Sequence, residues 1–132
     1  MQKKFSIYSG IALIVIGILG LLPNPFFGKD KLVEVDLTHN IFHAIIGGII
    51  ILMALGGEAQ ALRALKIFGW FFVLLAVTGF LMPDKGYLFG FLSSNIPGHW
   101  LHMVLGVILL ALAVINKKEE PEDINISPVA KN

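Results

Sequence analysis

The chain contains no cysteine. That excludes disulfides, thiolate metal ligands and cysteine nucleophiles, and leaves the redox compartment open. Charge is scarce: Asp, Glu, Lys and Arg make up 14% of 132 residues, against roughly 25% in a soluble domain. The ten basic and nine acidic residues nearly cancel, and no basic patch points to nucleic acid. None of these charges lies deep in an apolar run. A pump or coupled transporter usually carries charges there, so their absence argues against one. There is no phosphate-cradling glycine loop, no dinucleotide-binding glycine pattern and no zinc-protease helix motif. Ser6, Ser9 and Thr78 have no His or acid at helical spacing to activate them. No enzymatic activity is expected.

What is abundant is apolar. Hydrophobic residues reach 56% of the chain, and the mean hydropathy is +0.81. A bilayer core of about 30 Å needs about 20 mainly apolar helical residues. Four segments qualify: Phe5 to Leu22, His39 to Leu55, Leu65 to Met82, and His99 to Ile115. The second and fourth are short if begun at the histidines, which favours starts near Leu37 and Ile96. The first follows Met1-Gln2-Lys3-Lys4, as a signal peptide would, but no small-x-small cleavage site follows it. It is expected to be retained as a span. The fold expected is all-α: four transmembrane helices as two pseudo-symmetric helical hairpins, over residues 1–115.

Orientation follows the Lys/Arg bias. Lys3, Lys4, Arg63, Lys66, Lys117, Lys118 and Lys131 fall on one side, and Lys29, Lys31 and Lys85 on the other. Both termini are expected in the cytoplasm, in the cell's inner (cytoplasmic) membrane. Residues 116–132 read as a flexible polar cytoplasmic tail, where the sequon at Asn125 would meet no glycosylation machinery. The outer loops are partly apolar, as in Pro25-Phe26-Phe27 and Tyr87-Leu88-Phe89; they read first as interfacial anchors, and second as a cap that shields the histidine end from water.

The two halves match. A shift of 59 residues carries His43 onto His102 and Gly47 onto Gly106. The repeats run over about 5–57 and about 64–115, in the same orientation. A pseudo-two-fold axis along the membrane normal would put His43 and His102 at one depth. Within lipid, helices associate through small residues, and Ala44, Gly47, Gly48 and Gly106 are the packing candidates. His43 and Gly47 are four apart, as are His102 and Gly106. Each histidine therefore shares a helical face with a glycine, which favours an inward ring.

All four histidines lie in these two segments. His39 and His43 are i, i+4, and His99 and His102 are i, i+3, so each pair shares a face. An all-nitrogen site for copper or zinc from His39, His43, His99 and His102 is one reading. Haem held by His43 and His102 as axial ligands is a second. A third is anion or headgroup binding at the two helix N-termini. The plainer reading is structural: His43 and His102 bond to Asn40, Thr38, Asn95 or loop carbonyls, with no cofactor.

The motifs His39-Asn40-x-x-His43-x-x-x-Gly47 and Trp100-Leu101-His102-x-x-x-Gly106-Val107-x-Leu109 resemble an uncharacterised family of small bacterial four-helix membrane proteins, a domain of unknown function. The resemblance covers nearly the whole chain to about Ile115. It implies four spans in two similar halves, with His43 and His102 as shared positions. His99 stands where the family pattern more often has Asn, and Gly98 where it often has Asp. The resemblance implies no activity, substrate or cofactor. The role expected first is that of a non-catalytic accessory or structural subunit of a membrane complex, or a small homo-oligomeric scaffold. The second is a metal- or haem-binding redox or sensing protein. A homo-oligomeric channel is a weaker third.

Overall fold

In the computed structural model, residues 1–82 and 85–115 are described. The expected tail from Asn116, together with Pro83 and Asp84, lies outside them. Four helices follow in order: α1 (Gln2–Leu21), α2 (Leu37–Leu55), α3 (Glu58–Phe80) and α4 (Ile96–Ile115). All four are long and apolar enough to cross a membrane. The starts of α2 and α4 fall at Leu37 and Ile96, where the short histidine-led spans point. Helix α3 begins before the expected third span, because Glu58–Ala64 interrupts the apolar run with Glu, Gln and Arg but is made of good helix formers. Hydropathy finds the apolar stretch, and the helix runs on past it.

Packing follows the small residues. α1 lies chiefly against α2, and α3 against α4. A Cβ on Gly47 would stand 2.5 Å from the Gly10 carbonyl oxygen, and one on Gly106 would stand 2.8 Å from that of Gly69. The backbones of each pair touch, as membrane helices do when glycine lets them. Ala44 belongs to the same α1–α2 seam, its amide 3.3 Å from the Cβ position of Gly17. Gly48 has open space instead, with nothing within 4 Å of its Cβ position. It lies about 100° round the helix from Gly47 and off the seam.

The end of the bundle bearing the connections of residues 1–82 at Gly56 and Gly57 is tight. Gly57 sits at φ 113°, so only a short turn links α2 to α3. Glu58 then accepts from the Met1 amine at 2.8 Å and from the Lys3 amide at 2.9 Å. Its carboxylate serves an unpaired amide at the start of α1. The buried Ser6 hydroxyl donates to the Ala61 carbonyl at 2.9 Å and ties α1 to α3.

The opposite end carries a strand pairing that the apolar-loop reading, anchor or cap, does not foresee. β1 (Lys85–Leu88) and β2 (Leu92–Asn95) form an antiparallel hairpin, with Tyr87 opposite Ser93 and Leu88 opposite Leu92. Its tip turns through Phe89 at φ 52° and Gly90 at φ 80°. All four β2 residues are buried. The hairpin therefore lies over the end of the bundle as a cover. Asn95 fixes it there. Its Oδ1 accepts from the Gly98 amide at 3.1 Å, capping α4, and from the Glu34 amide at 3.1 Å. Its Nδ2 donates to the Leu32 carbonyl at 3.1 Å, which joins the hairpin to the loop after α1.

Candidate metal centre

Helix α2 begins at an N-cap. The Asp36 carboxylate accepts from the His39 amide at 2.8 Å through Oδ1, and from the Ser93 amide at 3.3 Å through Oδ2. One side chain thus starts α2 and holds β2 against it. From that start, the buried face of α2 runs through His39, His43, Ile46, Gly47 and Ile50. The buried face of α4 runs through His99, His102, Gly106 and Leu109. Both key histidines point inward: His43 is 3% exposed and His102 2%.

The rings meet under the hairpin. His43 and His102 have centroids 5.7 Å apart, His39 and His43 4.8 Å, and His39 and His102 5.3 Å. One ring nitrogen from each of the three lies within 4.8 Å of the other two. The His39 Nε2 and His102 Nε2 atoms are 3.3 Å apart. Phe72 stacks on His102 at 5.7 Å and forms an apolar wall.

The hydrogen bonds sort these nitrogens. His39 Nδ1 lies 2.7 Å from the Ser93 carbonyl oxygen. A carbonyl only accepts, so Nδ1 carries the proton and donates. Nε2 is left with a lone pair, which accepts from His102 Nε2–H at 3.3 Å; a bound metal ion would take the place of that proton. This is the arrangement by which a backbone carbonyl orients a metal-binding histidine. His43 is different: neither of its ring nitrogens has a hydrogen-bond partner, and His102 Nδ1 has none. The structural reading expected bonds from His43 and His102 to Asn40, Thr38, Asn95 or loop carbonyls. Those bonds are not made at His43. The loop carbonyl goes to His39 instead.

His99 stands apart from the three-ring group. Its Nδ1 lies 3.2 Å from the Ser94 hydroxyl, and its ring packs edge-on to Phe80 at 5.7 Å. It also covers Gly79, where a Cβ would run into the ring. The reason is angular. His39 precedes His43 by four residues and falls about 40° to one side of it; His99 precedes His102 by three and falls about 60° to the other side. Equal-looking pairs therefore diverge, and in place of the four-nitrogen set of the metal reading three histidines group together with His99 beside them.

The space between the rings is small. A cavity of about 10 Å³ lies among His39, His43, His102, Ile46, Phe72 and Leu92. That is about one water or one ion. A porphyrin does not fit, so the haem arrangement expected from His43 and His102 is not available here. A trigonal ion bound at about 2.0 Å holds its three nitrogens about 3.5 Å apart. The His39–His102 pair is close to this at 3.3 Å, and the three nitrogens together lie within 4.8 Å of one another.

Two residues that build this centre escape a reading based on histidines alone. Asp36 was legible as an N-cap, an acid three residues before His39 at the head of an apolar run. Ser93 contributes its carbonyl, which no side-chain pattern can reveal.

Residues 3–115 match the model of a family described as a domain of unknown function (DUF4383). No curated protein and no solved structure matches the chain.

Proposed function

The chain belongs to this family of unknown function, and from that premise we propose that it is a membrane protein that binds one transition-metal ion through His39, His43 and His102. The observation that carries the reading is His43. Its two nitrogens are buried and unpartnered beside two other imidazoles. A buried polar group left without a partner costs about 1–3 kcal/mol. An ion in the cavity would engage it. Imidazole suits copper and zinc. The role is binding and not catalysis, since a cavity of about 10 Å³ admits no organic substrate beside the ion. The membrane is the cell's inner membrane with both termini cytoplasmic, on the Lys/Arg bias, which sets the centre near the outer face.

Elemental analysis of untagged protein tests this. Near-stoichiometric copper or zinc is the expected result. A blank after purification without chelators returns the histidines to a structural role.

A second reading concerns the setting: an accessory subunit of a larger membrane complex, or a homo-oligomer. Its support is the row of large apolar side chains pointing outward, including Leu52 at 69% exposed and Leu74 at 62%. Lipid covers such a row equally well. Copurification with a partner in mild detergent is expected on this reading, and a strictly monomeric chain contradicts it.

A further inference from the structure

We infer that the ion this centre is built for is cuprous copper, bound by three imidazoles and shielded from water. The inference rests on the metal-binding reading above and adds the identity of the ion.

The first argument is coordination number. Zinc takes four ligands, and where a protein supplies three, a water or substrate fills the fourth place. Among the described residues, three nitrogens converge here and no fourth ligand joins them. His99, the nearest further histidine in the sequence, engages Ser94 through Nδ1. The cavity of about 10 Å³ is the size of one ion or one water. Cuprous copper is stable with three nitrogen donors in a plane and needs no fourth.

The second argument is charge. Three neutral imidazoles leave the full charge of the ion in place. The rest of the lining is apolar, with Ile46, Phe72 and Leu92. The Born cost of burying an ion rises as the square of its charge, so a divalent ion costs four times a monovalent one of equal size. Among the described residues, no carboxylate lines the cavity. Asp36 is one hydrogen-bonded step away, bonded through both oxygens to the His39 and Ser93 amides. Glu34 is further off and accepts from the Ser93 hydroxyl at 3.0 Å. Both are partly exposed and screened by water. They favour a cation in general, and they lie outside the ligand shell that a divalent ion requires.

The third argument is access. The three rings are only 2–3% exposed and lie beneath buried β2, with Phe72 stacked on His102. A three-coordinate cuprous ion is protected there from oxidation to the cupric state, which prefers four or more ligands in a tetragonal array.

The test is a competition with the full chain in detergent, untagged and stripped of metal. Cu(I) is supplied anaerobically from a chromophoric chelator, and Zn(II) is supplied separately and then in excess. The expected result is one Cu(I) per chain, not displaced by Zn(II), with a three-nitrogen shell at about 2.0 Å by X-ray absorption. His43→Ala is expected to lower the Cu(I) affinity by more than about 100-fold, beyond the roughly 10–100-fold of an outer-shell change. His99→Ala is expected to leave it unchanged. His43→Gln, which keeps a polar side chain of similar size, serves if the alanine variant does not fold. Stoichiometric Zn(II) that displaces Cu(I), or a fourth light atom in the copper shell, overturns the inference and leaves the metal-binding reading standing. Binding of neither metal overturns both.

Discussion

A buried imidazole with no hydrogen bond is an unusual thing for a protein to keep, and His43 supplies a test that separates its roles. If the ring serves packing alone, its replacement by Leu should cost stability. If the ring is kept for a ligand, the metal-free protein should gain by losing it. His43→Leu is expected to stabilise the metal-free protein by about 1–3 kcal/mol, the usual cost of a buried unsatisfied group, and to abolish metal binding. Thermal unfolding in detergent, with and without metal, reads both effects. The inward direction of this ring was legible from its spacing to Gly47. Its lack of a partner was not, because that depends on Ser93, which is 54 positions from the histidine it serves. The glycines offer a second test. Gly47→Ala forces a methyl against the Gly10 carbonyl, at 2.5 Å. It is expected to cost about 1–3 kcal/mol, as overpacking does. Gly48→Ala points into open space and is expected to stay within about 0.5 kcal/mol of the parent, or slightly above it. A comparison of unfolding midpoints checks the pair.

Among the elements, helices and hairpin differ in how they declare themselves. Each helix announces itself by about 20 apolar residues, a signal no other structure in a bilayer produces. The hairpin is eight paired residues with a Phe89-Gly90 tip. In an apolar chain its strands read as a stretch of interfacial loop. Its place over the bundle is set by Asn95 and Asp36, each of which serves a helix start and a distant backbone group at once. Such dual use is invisible until the elements are docked. Asp36→Ala removes the cap of α2 and the tie to Ser93. The expected cost is about 1 kcal/mol of stability, with metal affinity lowered roughly 10–100-fold as the His39 ring loses its fixed orientation. Ser93→Ala keeps the carbonyl and loses only the contact to Glu34, so its metal affinity is expected to match the parent. Equilibrium dialysis against a buffered metal, run on both variants, checks the contrast.

At the scale of the whole molecule, the four-span architecture follows from composition and run length, and the three-histidine centre from a small angular difference between the two halves. In the sequence a shift of 59 residues carries His43 onto His102, and four histidines acting together was one reading of that match. A spacing of four in one half and three in the other sends His39 into the centre and His99 to Ser94 and Gly79. Sequence spacing contains this difference, but its consequence needs the relative rotation of α2 and α4, which no single-helix pattern supplies. Orientation in the membrane is testable directly, because the chain has no cysteine of its own. Lys29→Cys is expected to react with an impermeant maleimide from outside the cell, and Lys66→Cys only after the membrane is opened. The reverse pattern would move the centre to the inner face.

The measurement that bears most directly on the metal centre is the metal-to-protein ratio of parent and His43→Ala, each untagged and dialysed to equilibrium against the same buffered copper. The account predicts one ion per chain in the parent and none in the variant, with the helical content of the two alike. Equal ratios in both, or no metal in either, would contradict it.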